Sequence, residues 1–226
     1  VSWETPAAIL DKLDDMRSKL SPQNNYSQQQ VNKFNVKMDE VIIDSLFASA
    51  ITGETATGST AYDTGNDVAV GTTDLTLDKM LEAKQNLMQN EVNMDDPEEQ
   101  VTMVITPHQY TSMVQIAQVS NSDYGNTVFD KDGMVTRWNG INIVVSNRLL
   151  DSNGIRATVN AGASAVREIP MFAKSGVHLG IWEDIYGEVT QQPHISRKPF
   201  AVMSYGTFGA TRLEESKVVK IICKET

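Results

Sequence analysis

The stretch SQQQVNKFNVKMDEVIIDSLFASA, residues 27 to 50, decides the fold. Ser27 and Gln30 have the spacing of a capping box, in which each side chain bonds a free backbone N–H at the start of a helix. The apolar residues that follow recur at helical spacing: Val31, Phe34, Met38, Val41, Ile42 and Leu46. Since Thr52-Gly53 ends the pattern, the sequence predicts a helix of roughly 23 residues, about 35 Å long. A helix of that length is typical of a structural backbone element.

Other helices are predicted before and after this segment. An apolar face that includes Ile9 and Leu20 predicts a short helix over residues 4–20. Residues 77–92 have the same periodicity and predict a second helix. Thr106-Pro107-His108-Gln109 combines a Thr cap, a Pro at the first helical position and a capping-box Gln. It predicts a helix that runs to about residue 119.

Strands account for most of the remaining sequence. Val101 to Ile105 has the length and composition of a buried strand. Gly53 to Gly71 is rich in Gly, Thr and Ser, which predicts a loop or short irregular strands. The other predicted strands lie between Gly, Asn, Asp and Pro residues, at 134–138, 141–146, 155–159, 177–182, 186–191, 200–211 and 217–223. The mixture of helices and strands predicts an α+β fold.

Composition and charge exclude several classes of function. With 19 basic and 29 acidic residues the formal net charge is −10, the opposite of what a protein needs to neutralise nucleic-acid phosphates. No apolar run approaches the roughly 18 residues of a membrane span, so no membrane partner is expected. The single cysteine, Cys223, excludes an internal disulfide and is expected to be a small buried hydrophobe. Because Val1 is not an initiator Met, we expect further sequence upstream.

The segment FDKDGMVTRWNG, residues 129 to 140, was tested as a calcium-binding loop. If Gly133 is the conserved glycine of an EF-hand, Asp130 and Asp132 take two ligand positions, but Val128 and Asn139 occupy positions that need a carboxylate. A hairpin turn explains the Asp-Gly pair better, because Gly accepts a positive φ and Asp tolerates it. Asn139-Gly140 repeats the pattern, so two successive turns are predicted.

No catalytic, metal-binding or cofactor-binding residues are predicted. Gly162 to Val166 lacks the second glycine of a nucleophile elbow, and Gly53 to Ser59 lacks the lysine of a phosphate-binding loop. The three histidines have no second ligand at metal spacing: His108, His178 and His194. A chain with several well-marked elements and no site predicts a structural or interaction protein.

The order and spacing of several segments resemble one family along nearly the whole chain, from about residue 27 to 224. These segments are Met38 to Leu46, Leu77 to Lys84, Val104 to Tyr110, Ser122 to Tyr124, Asp132-Gly133, Gly140 to Asn147, Phe208 to Leu213 and Lys217 to Ile221. Their succession resembles the major capsid proteins of tailed bacteriophages, which share the Hong Kong 97-type shell fold. No single segment is specific by itself.

This resemblance implies an α+β phage major capsid fold in three parts. Residues 1–71 would form a peripheral domain with a spine helix over 27–50 and a connecting loop. Residues 72–195 would form an axial domain, and residues 196–226 the return strands of the peripheral domain. The family also carries an N-terminal arm and an extended loop upstream of the spine helix, both of which we expect this sequence to lack.

The resemblance also implies a function without catalysis. The chain would be a structural subunit that self-assembles, as pentamers and hexamers, into an icosahedral shell enclosing phage DNA without sequence-specific binding. Scaffold, portal and decoration proteins would be further partners, with assembly in the bacterial host cytoplasm and a final location in the virion capsid. Two alternatives stay open: the encapsulin-like shell of a cellular nanocompartment and, less favoured, an α+β enzyme with an unrecognised site. Arg137 and Trp138, beside a tight turn, are the candidate subunit contact.

Overall fold

The computed structural model describes residues 2–5, 8–10, 22–68, 73–94, 96–116, 119, 134–151, 154, 156, 166–196 and 198–225. The chain divides into two compact units. The first comprises Val1–Ile42 and Leu179–Ala210, and the second comprises Ile43–His178 and Thr211–Thr226.

Helices and strands alternate along the described part of the chain. The helices are α1 (Pro22–Phe47), α2 (Leu77–Gln89) and α3 (Pro107–Val114). The first strands are β1 (Ser2–Glu4), β2 (Ala8–Leu10), β3 (Ala50–Thr52), β4 (Gly58–Thr60), β5 (Asp67–Val68) and β6 (Val101–Ile105). The later strands are β7 (Arg137–Trp138), β8 (Ile141–Val145), β9 (Val166–Ala173), β10 (Val177–Gln191), β11 (Phe200–Arg212) and β12 (Val218–Lys224).

The first unit is built around a sheet in which β11 lies between β10 and the two N-terminal strands, β1 and β2. Phe34 of α1 packs against Trp3 and Phe208, with ring centroids 5.3 and 5.2 Å apart. The Phe34 ring lies directly over Gly206 of β11, where any Cβ would collide with it. A glycine at this position therefore lets the helix and the sheet approach closely.

The second unit contains a six-stranded mixed sheet in the order β5-β12-β9-β6-β8-β7. β5 is parallel to β12 and β6 is parallel to β8, whereas the other neighbours are antiparallel. Its apolar core joins this sheet to α2 and α3 and includes Met80, Leu87, Met113, Ile169 and Ile221. Most of the buried apolar surface that stabilises the fold lies in this core.

The helix ends are capped by specific side chains. Thr76 caps α2, and Thr106 with Gln109 forms the predicted capping box at the start of α3. Arg212 lies at the C-terminal end of α1, where its Nη1 donates to the carbonyl oxygens of Leu46 and Ala48 at 2.6 and 2.9 Å. Because the last carbonyls of a helix have no partners within it, a buried arginine there stabilises the end of α1.

Several sequence predictions are confirmed. The long helix is present, begins five residues earlier than predicted and ends at Phe47. Ser27 and Gln30 therefore lie inside the helix, and the capping box predicted there is wrong. α2 and α3 begin where predicted and end sooner, at Gln89 and Val114, and β6 has the predicted bounds. Asn139 and Gly140 have φ values of 48° and 82°, as the predicted tight turn between β7 and β8 requires. Cys223 is fully buried.

Other predictions are wrong. The helix over 4–20 fails at Ala8–Leu10, which is a strand paired with Phe200–Val202. Ile9 is 61% exposed, so the apolar residues there do not form a buried helix face. The strand β9 was not predicted, because Pro170 and the charged residues before it weaken the pattern. The strands expected over 177–182 and 186–191 are one continuous strand, β10.

Some predictions lie outside the described residues. These are the part of the first helix at 11–20, the turn Asp132-Gly133 with Asp130, and most of the strand 155–159. The division into parts 1–71, 72–195 and 196–226 stays a prediction, and the two compact units have other bounds. In particular, β12 lies in the same sheet as β6 and β9.

Candidate subunit-contact surface

The most exposed apolar side chain of the described residues lies on β10. Trp182 is 92% exposed, and Ile181, Tyr186 and Val189 are also exposed. None of the fifteen residues of β10 is buried. Large exposed apolar groups that cluster on one element mark interaction surfaces more often than chance placement.

One side of β10 alternates between aromatic and acidic residues. Successive side chains of a strand point to opposite faces, so Trp182, Asp184, Tyr186 and Glu188 share one face. All four are exposed. We call these four residues the aromatic–acidic face. Its two carboxylates form no ion pair with any described residue. The Thr190 hydroxyl donates a hydrogen bond to the Glu188 carboxylate at 2.7 Å.

β10 is also an edge strand. It pairs with β11 on one side, and no other described strand lies on its outer side. An edge of fifteen residues presents a row of backbone N–H and C=O groups that can pair with another chain. Exposed apolar residues on a long open edge make β10 the surface best suited to contact another protein.

In the turn that joins β10 to β11, residues 193–196 and 198 are exposed. Gln192 N donates to Pro199 O at 2.8 Å, and Lys198 N donates to Ile195 O at 3.0 Å. His194, Ile195 and Lys198 are exposed. Lys198 has a φ of +46°, a left-handed conformation that disfavours non-glycine residues.

The candidate contact residues from the sequence lie on β7, at an edge of the six-stranded sheet. Arg137 is exposed, whereas Trp138 is half-buried and packs against the core of the second unit. Met134, Val144 and Val145 are exposed as well, so this edge has its own small apolar area. Arg137 and Trp138 are therefore neighbours with different environments, and their role in a contact stays a prediction.

A cluster that resembles a nucleophile with its base joins three short 3-10 turns in the second unit. Lys217 Nζ donates to Ser175 Oγ at 2.9 Å, and the Ser175 hydroxyl donates to Glu99 at 2.6 Å. The hydrogen bond to Glu99 raises the pKa of Lys217, with a further contribution from Glu214. Because the amine must be neutral to accept a proton from serine, this ammonium does not activate Ser175. Sequence reasoning did not find the cluster, since its members are far apart in the chain.

A cleft of about 240 Å³ opens beside the C-terminal end of α1 and is lined by Ile43, Asp44, Phe47, Ala48, Leu150 and Glu168. Asp44 pairs with Arg156 at 2.8 Å and Glu168 with Lys220 at 3.3 Å. Both carboxylates thus have a cation, and the rest of the lining is apolar. The cleft has no arrangement of groups for acid–base catalysis.

Neither a metal site nor a membrane helix was found in the part of the chain that the structure describes. No group of three or more His, Cys, Asp or Glu residues there could hold a metal ion. No helix there is long and apolar enough to cross a membrane.

A family model matches nearly the whole chain, and solved structures show a similar fold. The family model described as phage capsid protein matches residues 3–225. The fold is similar to a structure titled Mycobacterium phage Che8, with a TM-score of 0.67, 12% identity, and 98% of this chain and 70% of that chain covered. The capsid of cyanophage P-SCSP1u gives a TM-score of 0.64, 18% identity, and coverage of 100% and 72%.

A similar fold also occurs outside phages. The SrpI encapsulin complex from Synechococcus elongatus gives a TM-score of 0.65 at 10% identity, with 100% of this chain and 75% of that chain covered. No match was found among curated protein sequences.

Proposed function

Since the chain belongs to the phage capsid protein family and is a major capsid shell subunit, we propose that β10 is one of the surfaces through which its copies assemble. The single observation that carries this proposal is Trp182, 92% exposed on a fifteen-residue edge strand. An isolated globular protein has no use for an exposed tryptophan in that position, whereas a shell subunit buries such groups against its neighbours.

The assembly that this surface serves is a closed shell. Copies arranged as pentamers and hexamers bury several interfaces each, and closed symmetry limits the growth of the assembly. A specific interface needs roughly 800 Å² from each partner, which a strand of about 50 Å with both faces exposed can supply in large part. The Arg137 and Trp138 edge is a second candidate contact in the same shell.

The shell encloses phage DNA without reading its sequence. The net charge of −10 favours a wall that holds the genome weakly, because acidic groups repel phosphates. Assembly takes place in the host cytoplasm, with scaffold, portal and decoration proteins as further partners. The spine helix α1 serves as the backbone of the peripheral domain, and strands β6 to β9 belong to the axial domain.

The chain works without catalysis. Ser175 and Lys217 are the nearest approach to a catalytic pair among the described residues, and the hydrogen bond to Glu99 raises the pKa of Lys217 and so favours its charged form, which cannot act as a general base. The function therefore lies in surfaces, as expected of a structural subunit.

Expression of the full-length gene product that contains this chain, alone and with its genomic neighbours, tests the proposal. Negative-stain microscopy and sedimentation should show closed shells or ring-shaped capsomers. Trp182→Ala should reduce the assembled fraction, whereas Ser175→Ala should leave it unchanged. A persistent compact monomer in every combination would contradict the proposed function.

A nanocompartment shell is the second candidate, favoured by the likeness to the SrpI encapsulin. The two candidates differ in what the shell contains. Purified shells treated with nuclease on the outside should retain DNA if the chain forms a phage capsid. A co-purifying enzyme and no protected DNA would favour the compartment.

A further inference from the structure

The hairpin of β10, the turn 192–199 and β11 carries two exposed surfaces of opposite chemistry. The aromatic–acidic face has two uncompensated carboxylates, Asp184 and Glu188, between aromatic rings. At the turn, Lys198 is exposed and forms no ion pair with any described residue, and His194 and Ile195 lie exposed near it. An alternation of aromatic rings and carboxylates can bind a lysine side chain. The lysine ammonium makes cation–π contacts with the rings and charge-assisted hydrogen bonds to the carboxylates.

Within its own hairpin, Lys198 cannot reach the part of this face that holds Asp184 and Tyr186. Asp184 precedes the end of β10 by seven residues, which corresponds to about 23 Å along an extended strand. β10 is regular over its whole length, so the strand does not fold back to shorten this distance. The site beside Tyr186, between Asp184 and Glu188, can therefore receive a Lys198 only from a second copy.

The conformation of Lys198 is a second, independent observation. Its φ of +46° places a long side chain where glycine would be less strained. The backbone bonds from Gln192 to Pro199 and from Lys198 to Ile195 hold the turn in this shape. Lys198 is therefore exposed on a turn whose backbone is held by hydrogen bonds, so binding has to order mainly its side chain.

We propose that Lys198 of one copy of this chain lies on the aromatic–acidic face of a second copy, with its ammonium beside the Tyr186 ring and between the carboxylates of Asp184 and Glu188. This inference rests on the proposed function, because it assigns the partner of the β10 surface. Each copy then places its Lys198 on one neighbour and receives the Lys198 of another neighbour on its own aromatic–acidic face. Such a head-to-tail contact closes into a ring when its rotation permits.

Charge reversal in the full-length gene product tests the contact. Lys198→Glu alone, and Asp184→Lys with Glu188→Lys, should each raise the protein concentration needed for half-assembly about tenfold, measured by sedimentation. The variant that combines all three substitutions should recover most of the wild-type assembly, since the charges are then exchanged. Failure of the combined variant to recover, while the separate variants are impaired, would overturn the pairing.

Two matched controls separate the contact from general charge effects. Glu82→Lys makes the same charge change at an exposed position of α2, outside β10, and should leave assembly within about twofold of wild type. Lys33→Glu reverses an exposed lysine on α1 and should do the same. If either control impairs assembly as much as Lys198→Glu, the effect is not specific to the pair and the proposal fails.

Lys198→Gly provides a test that does not depend on charge reversal. It should raise the melting temperature of the unassembled chain by relieving the left-handed strain, and it should weaken assembly by removing the ammonium. A purely structural Lys198 predicts unchanged or improved assembly instead. The possible outcomes distinguish this inference from the proposed function. If the wild type and all of the variants form shells equally well, the inference about Lys198 is overturned and the proposed function stands. If the wild type does not assemble at all, the proposed function itself is overturned. If the charge reversals change only the binding of an accessory protein to intact shells, the inference about Lys198 is overturned.

Discussion

β12 and β10 are both strands rich in apolar residues, yet their environments are opposite. In β12, Val218, Val219, Ile221 and Cys223 are fully buried in the six-stranded sheet. In β10 no residue is buried, and Trp182 is almost wholly exposed. Apolar burial stabilises a fold at about 25 cal/mol per Å², so β12 contributes to folding of the single chain and β10 contributes little. The apolar residues of β10 are available for contacts between chains, and substitutions in the two strands should separate folding from assembly.

Ile221→Ala in β12 should have the largest effect on folding. Removing a fully buried isoleucine side chain loses its transfer free energy and leaves a cavity, which lowers the free energy of unfolding by about 2–5 kcal/mol. Urea denaturation of the unassembled chain measures this change. Ile181→Ala in β10 is the matched control and should lower it by less than about 1 kcal/mol. Equal losses at the two positions would remove the contrast between the strands.

Alkaline pH should destabilise the chain through Cys223. Burial raises the pKa of this thiol to about 11, from an ordinary value of 9.0. The unfolded thiol therefore loses its proton first, so the stabilisation is fully present below pH 9 and is lost as the pH rises to 11. A difference of two pKa units corresponds to about 3 kcal/mol.

Comparison with Cys223→Ala separates this contribution from the groups that do not contact Cys223, because those groups titrate equally in both proteins. The difference in unfolding free energy between wild type and variant should shrink between pH 9 and pH 11. A difference that stays constant over that interval would mean that the thiol does not ionise on unfolding in this range.

Gly206→Ala tests whether the first unit has a packed core despite the exposure of β10. A Cβ at this position collides with the Phe34 ring, which Trp3 and Phe208 hold in place. Overpacking should lower the free energy of unfolding by about 1–3 kcal/mol. Gly180→Ala in β10 is the control, since its Cβ would meet only the Gly209 carbonyl oxygen at 3.8 Å. Thermal melts of both variants measure these changes in stability.

Trp182→Ala should have the smallest effect on folding of these substitutions. Its side chain is 92% exposed, so the free energy of unfolding of the unassembled chain should change by less than about 0.5 kcal/mol. Assembly should nevertheless be strongly reduced in sedimentation experiments. A large loss of stability in the single chain would show that Trp182 is needed for folding and that the contrast with β12 is wrong.

The sequence predicted those elements whose signals are local. The capping residues of α2 and α3, the apolar periodicity of α1 and the Asn139-Gly140 turn all depend on neighbours within a few positions. The helix predicted over 4–20 failed because its apolar residues at 8–10 are used in pairing with β11, nearly 200 positions away. Pro170 made β9 difficult to predict, although it lies just outside the residues of β9 that pair with β6.

The proposed contact surface on β10 was harder to predict than the fold. The sequence predicted a contact at Arg137 and Trp138, which stays a prediction, and two separate strands at 177–182 and 186–191. The alternation of Trp182, Asp184, Tyr186 and Glu188 was a readable signal, because a strand face with acidic residues between aromatic ones cannot be a core face. The sequence could not show that no described strand pairs with the outer side of β10, because that depends on the order of strands in the whole sheet.

The hairpin that presents Lys198 and the aromatic–acidic face is one uninterrupted piece of the chain, residues 177–212. Recombination between related phages would transfer both halves of the contact together and keep them matched. Two similar subunits made in one infected cell would then sort themselves by this segment, each recruiting only copies with a compatible hairpin. The identity of a mixed shell would be decided by fewer than forty residues.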